Sequence, residues 1–318
     1  MRRPPLQLLL ARARGFCAGV ERAIGAVEAT LGRADRPVHV RHQIVHNGRV
    51  VDGLAARGAR FVEELDRVPE GGVVVFSAHG VGHAVERAAA GRQLRVVDAT
   101  CPLVRRVHHE VRRQTREGRE VVVVGHRGHV EVEGVLGRID GLAHVVASVE
   151  EVTRLEVADP ARLAYVVQTT LSVDDAREVI AALKERFPLI IGPDTRTICY
   201  ATQNRQAAVR LLAERAERVI VCGARNSSNT TRLKEVAEAA GRPALLVERA
   251  EDLARAAVMD VACLGLTAGA STPESIVQET IARIGRWRAL RLEEVGPAEL
   301  SPRLAPVKLD ALGPAPVA

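Results

Sequence analysis

Short apolar runs alternate with amphipathic stretches along the whole chain. The runs at 6–10, 38–40, 73–76, 94–97, 121–124, 163–167, 189–191, 219–221, 244–247 and 261–266 are uniformly apolar apart from Gln7, His39 and Arg95. They predict strands covered on both faces. Between them, 19–31, 50–58, 102–117, 173–187, 204–218 and 273–287 carry apolar residues at helical spacing. Buried strands separated by helices build βαβ units, so the pattern predicts an α/β protein with parallel sheets.

A longer period lies over this one. Three cysteines each follow a strand and open a helix: Cys17 in GFCAGVERAI, Cys101 in ATCPLVRRV and Cys199 in ICYATQNRQAAV. The next strand in each case ends in a polar turn, IVHNG, GHVEVEG or NSSNTT. The offsets are 29 from Cys17 to His46, 28 from Cys101 to His129 and 29 from Cys199 to Ser228. A second polar loop follows in FSAHGVGHAV, VQTTLSVDD and LTAGASTPES, at offsets of 62 to His79, 68 to Thr169 and 72 to Ser271. The chain therefore reads as three copies of one unit. Boundaries fall at 1–100, 101–198 and 199–286, with a C-terminal extension at 287–318 that matches no copy. Residue identity between copies is low, so the repeat lies in the pattern.

Composition narrows the class. Hydrophobic residues make up 47% and charged residues 26%, enough for a buried core. With one Trp, two Tyr and four Phe, that core is aliphatic, which favours packed α/β layers over a sandwich. A net charge of +6 is mild and spread along the chain. Without interleaved aromatics it does not mark a nucleic-acid surface, but it favours an anionic ligand. No apolar run reaches ~18 residues, so no membrane span is expected. The opening MRRPPLQLLL has too short an apolar stretch for a signal peptide and reads as a first strand. Five widely spaced cysteines are not a disulfide framework. Both points place the chain in reducing cytoplasm.

Ligand sites in parallel α/β layers form where strand ends meet helix starts. Three copies around a pseudo-threefold axis, a cloverleaf of lobes, would aim three thiols and six polar loops at one centre. Three thiolates with one vacancy suit an iron–sulfur cluster that leaves one iron open, better than zinc, which closes its structural sites with four ligands. Cys222 and Cys263 break the pattern and read as small core residues. Ser227, Ser228 and Asn229 at one strand-to-helix turn, with Ser271 and Thr272 at another, have the character of an anion cradle. His46 and His79 add ring donors. All ten histidines lie between His39 and His144, so the third copy offers hydroxyls and amide where the first two offer imidazole. Glu131 lies beside His129, where a carboxyl near a cluster could move protons.

The segments RGFCAGVERAI, VRHQIVHNGRVVDGL, SAHGV, DATCPLV, GHVEVEG, QTTLSVDD, CYATQNRQ, NSSNTTRL and TAGASTPE, in this order, resemble the 4-hydroxy-3-methylbut-2-enyl diphosphate reductase family, the LytB proteins. The resemblance runs from about residue 14 to about residue 286. It implies one oxygen-sensitive 4Fe–4S cluster per chain within three α/β lobes, held by Cys17, Cys101 and Cys199. It further implies reduction of an allylic hydroxymethyl diphosphate to isopentenyl and dimethylallyl diphosphate, the last step of the non-mevalonate isoprenoid pathway. By motif, His46, His79 and His129 match substrate-binding histidines. Ser227, Ser228, Asn229 and Ser271 match the diphosphate cradle, Thr169 a threonine beside the substrate, and Glu131 the proton relay. The family commonly has proline between that His and Glu; Val130 stands there in this chain, which is expected to loosen the Glu131 loop. Two electrons are needed and a cluster does not readily store both, which implies an external donor such as ferredoxin or flavodoxin. Two other readings stay open: a cluster hydro-lyase, which would call for several convergent arginines in the loops, and a non-catalytic iron–sulfur sensor or paralogue.

Overall fold

In this computed structural model of the chain, residues 5–193, 198–297 and 302–313 are described. The elements run β1 (Pro5–Ala11), α1 (Ala18–Leu31), β2 (Val38–Arg41), α2 (Gly48–Ala56), β3 (Ala59–Val62), β4 (Val73–Phe76), α3 (His83–Gly91) and β5 (Arg95–Asp98). There follow α4 (Pro102–Arg116), β6 (Glu120–Val124), α5 (Val130–Leu136), β7 (Ala143–Val146), α6 (Val149–Thr153), β8 (Leu163–Val167) and α7 (Val173–Arg186). Last come α8 (Tyr200–Arg215), β9 (Arg218–Cys222), α9 (Ser228–Ala239), β10 (Ala244–Val247), α10 (Ala256–Met259), β11 (Cys263–Ala268), α11 (Glu274–Trp287) and β12 (Ala289–Val295).

Three parallel sheets result, with strand orders β3-β2-β4-β5, β7-β6-β8 and β10-β9-β11-β1-β12. The shared grammar is second strand, first strand, third strand, then the strand that leads to the next cysteine. In the first sheet that fourth member is β5, ahead of Cys101, paired Val73 to Arg95 through Phe76 to Asp98. In the last it is β1, ahead of Cys17, paired Gln7 to Cys263 through Leu10 to Leu266. In the middle sheet it shrinks to one parallel bridge, Ala164 to Ile191. The expected strand at 189–191 is thus no strand, because Leu189 is 65% exposed and gains nothing from pairing.

The expected lobe boundaries shift accordingly. The strand counted at the start of the 1–100 lobe lies in the sheet of the 199–286 lobe, and β12, from the 287–318 extension, flanks it there. A cysteine therefore closes one sheet's last strand and opens the next lobe's first helix. By packing, the described residues form two compact units. One takes the chain through Ala18, His46–Gly48, and Tyr200 to Arg303; the other takes Gly19–Val45, Arg49–Cys199 and the tail from Leu304. The stretch 314–318 of the expected extension lies outside the described residues.

Each central strand is buried on both sides, as the uniform apolar runs predicted. Val122, Val124, Tyr165 and Val167 face Ala176, Val179, Ile180 and Leu183 of α7, while Val121, Val123 and Val166 face Val107 and Val111 of α4 and Val132 and Val135 of α5. In the last sheet Leu8, Ile220 and Leu266 pack on Ile276, Val277 and Ile284 of α11; Leu9, Val219 and Val221 pack on Val209 and Leu212 of α8 and Leu233 of α9. At roughly 1.5–3 kcal/mol per buried aliphatic side chain, this two-sided burial sets the strand positions. Polar loops are left at the strand ends.

Candidate functional site

The three repeat cysteines are half-buried thiols outside any disulfide, each held in the same way. The Cys17 amide donates to the Ala270 carbonyl at 3.2 Å, the Cys101 amide to Ala78 at 2.9 Å and the Cys199 amide to Thr169 at 3.3 Å. Those acceptors sit in the second polar loops, LTAGAST, FSAHG and VQTTLS. So the cysteine of each copy is tied to the second loop of the copy before it in cyclic order, the relation that the fourth strand of each sheet creates. Cys101 caps α4 with Pro102 at the first helical position, where a missing N–H costs nothing.

Within the second unit, His129 is the N-cap of α5. Its Nδ1 accepts the Glu131 amide at 3.1 Å, so the neutral ring carries its proton on Nε2 and offers a donor there. Glu131 is 2% exposed. Its Oε1 accepts the Thr169 amide at 2.7 Å and its Oε2 accepts the Thr169 hydroxyl at 2.9 Å. Burial pushes this carboxyl up to about 6, against the two Thr169 hydrogen bonds that favour its charge. The His79 ring meets the His129 ring edge-on, centroids 6.2 Å apart, and its Nδ1 lies 3.3 Å from Ser77 Oγ. Gly80 follows at φ 77°, and a Cβ there would stand 2.6 Å from His108 Cε1. His108 is the wall behind the His79 loop; burial, reinforced by Arg138, drops its imidazole to about 4, so it packs as a neutral ring.

Gln168, unassigned in the sequence reading, links the two loops that present Glu131 and Thr169. Its Oε1 accepts the His126 amide at 2.9 Å and its Nε2 donates to Thr170 Oγ1 at 2.9 Å. The signal was available: a fully buried polar side chain directly after an all-apolar strand needs partners on site.

The first unit holds the hydroxyl loops. Ser227 caps α9, its Oγ accepting the Thr230 amide at 3.4 Å, and Ser228 is the first residue of that helix. The Ser271 hydroxyl lies 3.4 Å from Ser227 Oγ and donates to the His46 carbonyl at 2.9 Å. Asn229 Oδ1 accepts the Ala270 amide at 2.9 Å, and Ala270 is the residue that anchors Cys17. Thr202, also missed, faces Asn229 Nδ2 from α8 at 3.5 Å. Cys17, His46, Ser227, Ser228, Asn229 and Ser271 thus belong to one unit, and His79, Cys101, His129, Glu131, Thr169 and Cys199 to the other.

The donor set was tested against an iron–sulfur cluster. Among the described residues no group of three or more His, Cys, Asp or Glu forms a single-ion site. The chemistry of the cysteines nevertheless separates them. Cys222 is fully buried, faces Thr280 Oγ1 at 3.6 Å, and burial pushes its thiol up to about 12. Burial raises the Cys263 thiol as well. Cys17, Cys101 and Cys199 are instead partly exposed at helix starts. Three such soft donors fit the chemistry of an iron–sulfur cluster.

Parallel α/β sheets whose strand-end loops carry thiols, a buried acid and hydroxyl-lined helix starts set the chain among α/β enzymes. The chain belongs to the LytB protein family, whose model matches residues 8–285. It is 56% identical over 278 residues to the 4-hydroxy-3-methylbut-2-enyl diphosphate reductase of Aromatoleum aromaticum, covering 87% of this chain and 89% of that one. It is 51% identical over 300 residues to the enzyme of the same name from Klebsiella pneumoniae, covering 93% and 92%. Among solved structures, the E-1-hydroxy-2-methyl-but-2-enyl-4-diphosphate reductase from Plasmodium falciparum matches with a TM-score of 0.90 at 34% identity, covering 98% of each chain. A second, described as (E)-4-hydroxy-3-methyl-but-2-enyl diphosphate reductase, the terminal enzyme of the non-mevalonate pathway, matches with a TM-score of 0.63 at 32% identity.

Proposed function

We propose that this chain reduces (E)-4-hydroxy-3-methylbut-2-enyl diphosphate to isopentenyl and dimethylallyl diphosphate. The C–O bond of the allylic alcohol breaks, two electrons and two protons enter, one proton leaves with the oxygen as water and the other joins the allylic carbon frame. One observation carries the reading beyond the likeness to relatives. The Cys199 amide, the Thr169 main chain and hydroxyl, and the Glu131 carboxyl are hydrogen-bonded in series within one unit. That series ties the Glu131 carboxyl, through Thr169, to the main chain of Cys199, which supports an acid acting beside that cysteine.

Cys17, Cys101 and Cys199 would hold one 4Fe–4S cluster, which supplies an open Lewis-acidic iron and passes electrons singly. Glu131, with its carboxyl pushed up to about 6, delivers a proton near neutral pH, and the Thr169 hydroxyl relays it. His129 donates through Nε2 while its Nδ1 holds the Glu131 amide, so one ring binds anion and orients acid together. His46, His79, Ser227, Ser228, Asn229 and Ser271 supply donors to the diphosphate; Ser227 and Ser228 stand at the start of a 12-residue helix, where anions are favoured.

The electron donor is a small one-electron carrier, ferredoxin or flavodoxin; no nucleic acid or membrane enters the reaction. Five thiols outside any disulfide support a reducing, cytoplasmic setting. Among the described residues no helix is long and apolar enough to cross a membrane.

The test is an anaerobic assay of the reconstituted protein with dithionite-reduced viologen. Allylic diphosphate should trigger viologen oxidation with release of the two isomeric products. Substrate loss without viologen oxidation would establish a hydro-lyase instead. A reconstituted cluster with neither change would establish the sensor reading.

A further inference from the structure

Two guanidiniums, one fully buried and one half-buried, repeat one arrangement that the reaction itself does not use. Arg22 lies on α1, the helix that Cys17 opens. Its Nη1 donates to the carbonyls of Ala99 at 3.4 Å and Thr100 at 3.1 Å, the two residues before Cys101. Its Nε donates to Ala305 at 2.9 Å, which fixes the fork from behind. Arg205 lies on α8, the helix that follows Cys199. It is fully buried, and its Nη2 donates to the carbonyls of Gly15 at 2.7 Å and Phe16 at 3.3 Å, the two residues before Cys17. Its Nη1 donates to Ala201 in its own helix at 2.9 Å. Both arginines stand inside segments, GVERAI and CYATQNRQ, that carry the family resemblance.

We infer that Arg22 and Arg205 are positioning residues for the cysteine ligands, each clamping the pair of peptide carbonyls that precedes a cysteine of another copy. The inference rests on the cluster reading above. The physical case is the geometry of the fork. A guanidinium offers several N–H donors in one plane, so it spans two successive carbonyls that an ammonium would meet one at a time. Gly15 adopts φ 68°, a turn that an L side chain resists, and a Cβ there would stand 3.3 Å from the Thr272 carbonyl. Such a turn holds its shape only when its carbonyls are fastened. With both carbonyls tied, and the cysteine amide tied to Ala270 or Ala78, the peptide that leads into the cysteine is held at its oxygen and at its nitrogen. The cluster then meets preset ligands and loses no loop entropy on binding. For the third cysteine, residues 194–197 lie outside the described residues, and the inference stands on the two clamps.

The test compares Arg22→Met, Arg22→Lys, Arg205→Met and Arg205→Lys with wild type after anaerobic reconstitution. Iron release to a chelator and main-chain hydrogen exchange are measured on the same preparations. Arg22→Met should speed exchange in the segment before Cys101 and leave that before Cys17 unchanged; the Arg205 variants should do the reverse. Chelator bleaching should accelerate by about tenfold, one charged hydrogen bond's worth, and lysine should restore little of it. Local loosening without faster iron loss, exchange raised evenly across the chain, or full rescue by lysine would each overturn the inference. If Arg205→Met does not fold, the Arg22 pair decides alone, because Arg22 is partly solvent-exposed. A wild type that takes up no iron fails the cluster reading itself, and the local exchange pattern still reports whether the clamps hold their loops.

Discussion

Glu131 shows how much one position can be asked to do. Burial alone would neutralise it; two hydrogen bonds from Thr169 favour its charge, and the balance leaves it near 6. Its unfolded value is near 4.5, so the energetic cost of ionising it in the fold grows as pH rises through 4.5 and is complete above about 6. At about 1.4 kcal/mol per pKa unit, lowering pH from 7 to 4.5 should remove on the order of 2 kcal/mol of penalty. Glu131→Gln should lack this component, which denaturant titrations of both proteins at pH 7 and 5 would reveal. The same substitution should cut turnover by about 10²–10⁴-fold, with iron content kept, and remove the activity limb near pH 6. Retained turnover with only a stability change would mean that Glu131 is structural. His129 was read as a substrate histidine alone. Its Nδ1 also caps α5, a role invisible in sequence because it depends on a tautomer fixed by one backbone amide.

The start of α5 bears on the one departure from the family pattern inside the site. Val130 was expected to loosen the Glu131 loop, yet the helix start is already closed by the His129 cap. Val130 takes the first helical position, where proline is tolerated, and His129 at φ −75°, ψ 131° has the extended backbone that a residue before proline needs. Val130→Pro should therefore fold unchanged and gain about 0.4–1 kcal/mol by restricting the unfolded chain. A thermal melt checks this, and a fall in Tm would show that the position is strained. Elements with two covered faces were legible in sequence: 73–76 and 163–167 match β4 and β8 to the residue. Those missed, β3, β7 and β12, are all outermost strands. Their sequences, ARFV, AHVV and ALRLEEV, mix polar residues into one solvent-facing side, which breaks the continuous apolar signal. The helix expected at 204–218 begins four residues earlier, at Tyr200, and stops at Arg215, because Arg218 is taken by β9. Site residues were found through the cysteine period. Arg22 and Arg205 were not, because they act on main-chain carbonyls that no side-chain pattern announces, and Thr202 was not, because its partner Asn229 lies on another helix.

At the scale of the molecule, the division between cysteines is the sharpest expectation. Cys17→Ser, Cys101→Ser and Cys199→Ser should each lose the brown chromophore or bleach rapidly after anaerobic reconstitution, whereas Cys222→Ala should keep it. Iron and sulfide analysis with EPR checks all four, and iron lost from the Cys222 variant but kept in the Cys199 variant would overturn the ligand set. The lobe pattern was legible in its offsets, but the exchange of strands between copies was not, since β1 looks like any first strand until its partners are known. That exchange has a consequence for how the protein is made. The partners of β1, at Cys263–Ala268 and Ala289–Val295, leave the ribosome long after it does. At roughly 5–20 residues per second, the first strand waits on the order of tens of seconds for a neighbour. Its exposed apolar residues must be shielded meanwhile, and Cys17 has no fixed place until synthesis is almost over. On the proposed ligand set, cluster loading would thus await the finished chain, and a stalled nascent chain would offer Cys101 behind its paired β5 before Cys17 has found its place.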